Sequence, residues 1–454
     1  MARAVTGWVA SAALMLAALS PMRAGAETLA DALISAYRNS NLLEQNRAVL
    51  RAADEDVAAA VAALRPVLGW IASSQYSKSQ RLGEGTTNSL GLSLQWTLFD
   101  FGRGKISKEA ARESVLATRE ALVGVEQNVL LAAVQAYMDV RSAVENVSIN
   151  RNSVRVTGET LKAAQDRFDV GEVTRTDVAQ AEAQLAATRA SLAVAEGQLA
   201  AAREAYRAAT GHYPGALAVP PRAPALPKGI SEATSIAQRN HPSIRQAQHQ
   251  VKVSELQVSL AAANRLPSVG LSGQFSLDED GNDASSAGLQ MQQTIYAGGA
   301  LSSGHRKAIA GRDAAKAALL QGTVGVTQNV ANAWAQIAVA QSQIAAIDRQ
   351  VKAATVAYEG VKEEATLGAR TTLDVLNAEQ NLLDAQSSRI SAVANLQVAY
   401  YSLLASMGLL TADHLGLPVP VFDPDAYYNA VRNAPLTSVQ GRSLDRVLRA
   451  TGKN

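Results

Sequence analysis

The sequence lacks cysteine altogether in 454 residues, which excludes a disulfide framework, a thiolate metal site and lipid attachment to an N-terminal cysteine. It also lacks charge imbalance. The formal charge is +2, and 0 once Arg3 and Arg23 of an N-terminal leader are discounted, so bulk charge argues for neither nucleic acid nor an acidic substrate. Beyond residue 26 no apolar run approaches the roughly 20 residues that a spanning helix needs. The mature chain is therefore either soluble or crosses a membrane as strands. HExxH, GxSxG and phosphate-loop motifs are all missing, which leaves no residues to support a hydrolase and no expected cofactor.

The first 26 residues read as a secretory signal peptide: Arg3, the apolar run WVASAALMLAALS from Trp8, and the small-residue ending Ala24-Gly25-Ala26. The mature protein is expected to begin near Glu27, outside the cytoplasm.

The rest is written twice. GLSLQWTLFDFGRG (91–104) aligns with GLQMQQTIYAGGAL (288–301), pairing Gly91 with Gly288, Phe99 with Tyr296 and Gly102 with Gly299 at a spacing of 197. The same spacing relates VGEVTRTDVAQAEAQL (170–185) to LGARTTLDVLNAEQNL (367–382), so that Asp177 meets Asp374 and Glu182 meets Glu379. Upstream, AYRN (36–39) meets AQRN (237–240) at a spacing of 201. Each half, 27–211 and 231–410, reads helix, β-hairpin, very long helix, turn, helix. A proline-rich connector (212–230) separates them, and a segment (411–454) that begins rich in proline follows.

The hairpins, 66–99 and 267–297, show period two. Leu90, Leu92, Leu94, Trp96 and Leu98 alternate with Gly91, Ser93, Gln95 and Thr97, and the other strand segments behave likewise, with polar loops at 81–88 and 278–284. Strands of about 10 residues with one apolar and one uncharged polar face match a transmembrane barrel. A half-buried sheet in a soluble domain would give the same pattern in any single strand. Four strands cannot close a barrel, and an open edge cannot sit in lipid, so chains must pool them. Two chains would give a filled eight-stranded barrel and three a twelve-stranded barrel with a lumen; three is preferred. Trp70, Trp96 and Tyr76 suit either an interfacial aromatic belt or packing between strands.

The helices carry a seven-residue period. Val178, Leu185, Leu192, Leu199 and Tyr206 recur with alanines on the complementary seam, and Val375, Leu382, Leu396 and Leu403 repeat the pattern, which Arg389 interrupts. This argues for supercoiled helix pairs. The expected elements are long helices at 103–166 and 301–366, each roughly 95 Å at 1.5 Å per residue, followed by helices at 172–209 and 369–408. Gly102, Gly104, Gly298 and Gly299 supply permissive backbone where strand becomes helix.

On the junctions WTLFDFGRG and TIYAGGAL and the turns RFDVGEVTRTDV and ATLGARTTLDVLNAEQNL, the chain from about Glu27 to Leu410 resembles the TolC-like outer membrane factor family. The resemblance implies a mixed α and β membrane protein of a Gram-negative bacterium. Its fold is a homotrimer with a twelve-stranded barrel, four strands per chain, in outer membrane lipid, continued by a helical coiled-coil barrel through the periplasm. It implies a passive duct for efflux or type I secretion, with a periplasmic adaptor and an inner-membrane transporter as partners. By residue matching, Asp374 would form a constriction ring, with Asn377 where the family places a second acid. Arg370 would reach Thr176 and Asp177 on the neighbouring hairpin, and Ala365 stands where a tyrosine is expected. Val170, Gly171 and Glu172, with Leu367, Gly368 and Ala369, match the tips that adaptors grip, Glu172 replacing an apolar residue.

Other readings weigh against each motif. Thr174-x-x-Asp177 and Thr371-x-x-Asp374 are also helix capping boxes. Asp100-Phe101-Gly102 spells a kinase metal motif without the rest of that signature. His241, His249 and His305 are too dispersed for a metal site. The alternative function is a soluble periplasmic coiled-coil scaffold or adaptor.

Overall fold

The computed structural model describes residues 26–79, 83–221, 224–434 and 446, so the leader and most of the sequence after Ala434 lie outside the described residues. The chain runs α1 (Leu29–Asn39), α2 (Asn41–Ala62), β1 (Val67–Ser79), β2 (Gly83–Phe99), α3 (Arg103–Asp169) and α4 (Arg175–Thr210). It repeats as α5 (Ile230–Asn240), α6 (Pro242–Ala263), β3 (Ser268–Asp278), β4 (Asp283–Gln292), α7 (Ala300–Thr366) and α8 (Thr372–Ser406), and adds α9 (Pro424–Val431).

The leading helix of each half is in fact two. Ser40 has extended backbone and its hydroxyl accepts the Leu43 N–H, so it ends one helix and caps the next; His241, followed by Pro242, does the same in the second half.

The four strands form one antiparallel sheet in the order β1-β2-β3-β4, so β2 and β3 join the two halves and β1 and β4 are left as edges. Strand lengths depart from the sequence expectation. Residues 83–88, expected in a loop, belong to β2, because Ser74 to Ser79 of β1 pair with them down to Ser79 opposite Gly83. In the second half β4 stops at Gln292, opposite Ser268, the first residue of β3, so Thr294, Ile295 and Tyr296 have no intrachain ladder among the described residues. Ile295 and Tyr296 are 93% and 86% exposed. The apolar face of β1 is similarly bare, with Leu68 at 71% and Trp70 at 74%. An edge-bearing sheet with an exposed apolar face requires covering by further strands and lipid.

Each long helix has 67 residues, about 100 Å at 1.5 Å per residue. An 18-residue stretch of α3 is apolar enough, on composition, to span a membrane, contrary to the sequence expectation. Its helix carries Leu130, Ala133, Val134, Tyr137 and Met138 into the main core, which accounts for that composition. This core gathers α1, the middle of α3 and α7, and the ends of α4 and α8 midway along the helices, with Tyr206, Leu403, Met407 and Leu410 fully buried. Away from it the hairpins hold by the alanine seam: Ala181, Ala195, Ala385 and Ala392 are buried. Arg389, the interruption in that row, pairs with Asp348 of α7 at 2.6 Å across the hairpin.

The segment after α8 lies along the helices toward the sheet. Glu126 accepts the Ala412 N–H at 2.7 Å, Arg119 binds Asp425 at 2.7 Å, and Arg65 donates to the Ala434 carbonyl at 2.6 Å, two residues before β1 begins.

Candidate functional site

At the strand-to-helix junctions two constraints act. Gly102 and Gly299 both have positive φ, 84° and 89°, and each is the N-cap of a long helix. Gly298 also lies at positive φ. Gly104 is different: its backbone is helical, and an added Cβ would stand 2.1 Å from Leu64 Cδ2, so it is a close-approach site rather than a conformational one. Asp100, set aside in the sequence as part of a chance kinase motif, accepts the Gly102 N–H at 2.9 Å and the Gly104 N–H at 2.7 Å. It satisfies helix-start donors that the glycine N-cap cannot.

At the opposite end the two hairpins turn. Gly171 and Gly368 have φ 81° and 77°, and the following N–H groups reach back, Glu172 to the Arg167 carbonyl and Ala369 to the Glu364 carbonyl, both at 2.9 Å. These are glycine-terminated helix ends. The turns project their residues outward: Val170 is 71% and Leu367 84% exposed, and Glu172 and Ala369 are exposed as well.

The next helices start with full capping boxes. Thr174 Oγ1 and Asp177, and Thr371 Oγ1 and Asp374, exchange hydrogen bonds with each other's backbone N–H groups at 2.9–3.3 Å. The bonds from Thr174, side chain first, hold the Asp177 carboxyl below the usual aspartate value. The Thr371 N–H, then its hydroxyl, do the same for Asp374, with a smaller contribution from Arg370. Both acids therefore carry full charge at neutral pH while serving as caps. Asn377 is exposed one turn further on.

Within the chain Arg370 makes no bond to Thr176 or Asp177 among the described residues. Its Nε instead donates to Glu364 Oε2 at 2.8 Å, a contact between the end of α7 and the turn that follows it. No local motif signals this contact, since the pairing depends on how the turn folds back.

Between the hairpins, α3 packs on α8. Near the tip Arg167 donates to the Ala365 carbonyl at 3.1 Å, Ala164, Ala181 and Leu376 form a small buried cluster, and Gln184 meets Gln380 at 3.4 Å. Ala365 is itself buried there, at 7% exposure. A cavity of about 250 Å³ lies in this seam, lined in part by Arg167, Tyr358, Lys362 and Val375.

Comparisons with known proteins come from three directions. The model of the family described as "Outer membrane efflux protein" matches residues 33–212 and 233–409, one block in each half of the repeat. The chain is 36% identical over 423 residues to the outer membrane efflux protein BepC of Brucella suis, covering 91% of this chain and 92% of BepC. It is 25% identical to the outer membrane protein TolC of Escherichia coli over 85% of this chain and 84% of that one. The structure of the CmeC outer membrane channel of Campylobacter jejuni shares the fold at a TM-score of 0.76 and 17% identity, over 92% of this chain and 88% of that chain.

Proposed function

This chain belongs to the outer membrane efflux protein family, and from that premise we propose that it is the exit duct of an export machine, gated at the turns that join its long helices. The protein is a trimeric outer membrane channel-tunnel and not an enzyme. Each chain gives four strands to a twelve-stranded barrel and two helical hairpins to the tunnel beneath it. The observation that carries the reading is the placement of an edge-bearing, apolar-faced sheet at one end of 67-residue helices whose other ends are exposed turns. Strands seal only by pairing with further copies, and the helices then extend the lumen by about 100 Å.

Channels of this kind work with periplasmic adaptors and inner-membrane pumps. In the proposed mechanism Asp374 of three copies gathers at the constriction, where like charges favour cations. Asn377 keeps that ring less negative than two acids would. Arg370 links each second hairpin to Thr176 and Asp177 of a neighbouring copy in the closed tip, exchanging Glu364 for them. The exposed Val170 and Leu367 give an adaptor two apolar contacts per chain, with Glu172 adding charge beside one of them. Likeness to efflux proteins across both halves favours this duct over a soluble scaffold.

The gate is tested by Arg370→Ala in planar bilayers. Higher conductance than wild type is expected; unchanged conductance and open probability would remove Arg370 from it.

A further inference from the structure

Glu379 stands on α8 five residues after Asp374 and is only 8% exposed. Its Oε1 accepts the Ser153 hydroxyl at 3.0 Å and the Thr157 hydroxyl at 3.4 Å, and both donors belong to α3. The carboxylate therefore lies in the seam between the two hairpins of one chain. Among the described residues it has no ion pair. Lys362 of α7 acts on it only from a distance, and Tyr358 of α7 faces it with Arg155 and Glu159 of α3 nearby. From α4, Gln184 donates to Gln380, the residue next to Glu379, at 3.4 Å.

The internal repeat makes this burial specific. Glu379 corresponds to Glu182, and the neighbouring pairs are Leu376 with Ala179 and Leu383 with Ala186. All three α8 residues are buried, whereas within the chain all three α4 residues are exposed. Within one chain, among the described residues, it is the second-half acid of this pair that lies inside a seam.

A carboxylate taken from water without a cationic partner costs free energy that two hydroxyl donors only partly offset. A group buried in one arrangement and hydrated in another biases the equilibrium toward the hydrated one. The seam is where the hairpins can part: α3–α4 and α7–α8 are each closed by a tight turn, and α3 on α8 is side-chain contact alone.

We propose that Glu379 is a positioning residue of the periplasmic gate, its ionised carboxylate opposing closure because it must lie buried between α3 and α8 whenever the two hairpins of a chain rest together. This rests on the reading that the tip is the gate and that opening parts the hairpins.

The sign of the pH dependence follows. Burial raises the Glu379 carboxyl above the ordinary value of 4.5, so the closed arrangement holds the proton more readily than the open one. Closure is favoured in acid and weakens as pH rises from about 4.5 through the raised value. Asp374 and Asp177 are shifted below the usual aspartate value and titrate outside this window, and no histidine lies within residues 150–170 or 350–380.

The test is single-channel recording of the full-length trimer at pH 7 and pH 5, comparing wild type, Glu379→Gln and Arg370→Ala, with heat-modifiable mobility on gels as the check on assembly. Glutamine keeps the acceptor and removes the charge. Its open fraction at pH 7 is expected to fall several-fold below wild type, and the drop that wild type shows between pH 7 and pH 5 is expected to vanish. The pair Ser153→Ala with Thr157→Val removes the donors but leaves the charge, and is expected to open more than wild type; it decides the matter if the glutamine variant does not assemble. An open fraction in Glu379→Gln equal to or above wild type, or a wild type indifferent to pH, overturns the proposal. If Arg370→Ala opens the channel while the Glu379 and Ser153/Thr157 variants change nothing, only the Glu379 inference falls. If neither wild type nor Arg370→Ala conducts, the duct reading falls and this inference with it.

Discussion

Arg370 Nε and Glu364 Oε2 are 2.8 Å apart, so the cation of the second turn is partnered by an acid of its own hairpin, six residues back. Both side chains are about half exposed, at 52% and 50%, so solvent screening leaves the pair weak. It is weak enough to exchange for a partner on another copy.

Opposite effects are therefore expected from the two partners. Glu364→Gln frees Arg370 for the neighbouring hairpin and should lower the open fraction in bilayer recordings, whereas Arg370→Ala should raise it. Changes in the same direction would show that the intrachain pair itself holds the tip.

Thr174→Ala removes a capping box at the start of α4 and is expected to cost about 1 kcal/mol locally. Limited proteolysis should show faster cleavage near Gly171, with the global melting temperature little changed. Because the Asp177 carboxyl is held below 3.8, the cap stabilises above that pH and fails as pH falls through the lowered value. Wild type and variant should converge in protease sensitivity once pH falls below that lowered value. A difference that persists there would mean that the hydroxyl acts without the acid.

Asp54 of α2 is 1% exposed, and among the described residues neither carboxylate oxygen has a hydrogen-bond partner. Burial raises its carboxyl from 3.8 to about 6, against the pull of Arg119, which is engaged with Asp425 of α9. An acid with a raised value stabilises the fold in its protonated form and loses that contribution as pH rises from about 4 to 6. Asp54→Asn should raise the melting temperature at pH 7, by the equivalent of on the order of 2 kcal/mol, and leave it unchanged at pH 4. A variant less stable at both values would show that an ordered water or a shift of Arg119 already satisfies the acid.

Gly104→Val should impair assembly, because its Cβ meets Leu64 Cδ2, and overpacking of this kind costs about 1–3 kcal/mol. The added truncation Leu64→Ala should restore heat-stable trimers. No rescue would point to the junction backbone, with Asp100 as the group disturbed.

Much of the fold class was legible in the sequence, for a physical reason. Lipid-facing strands and supercoiled helices both impose strict periods, and Leu90 to Leu98 and Val178 to Tyr206 display them openly. The duplicated chain then made each half a check on the other. What escaped depends on pairing across distance. Residues 83–88 look like a loop because they are polar, yet β1 supplies ladder partners for them. Thr294 to Tyr296 look like strand, yet β3 begins too late to pair with them. The candidate tip residues could be placed by motif, but not their contacts. Glu364 gave no local sign of binding Arg370, and Glu379 and Glu182 occupy equivalent positions in equivalent motifs while only Glu379 is buried within its own chain. Asp100 was hidden by the opposite fault, a familiar spelling that drew attention from its simpler use as a helix cap.

The most direct test of the central claim is single-channel recording of the detergent-purified protein in a planar bilayer, with particle mass measured alongside. Steady, cation-preferring openings from a particle of three chains are expected. A particle that stays in solution without detergent, or a trimer that conducts nothing either as wild type or as Arg370→Ala, would contradict the duct.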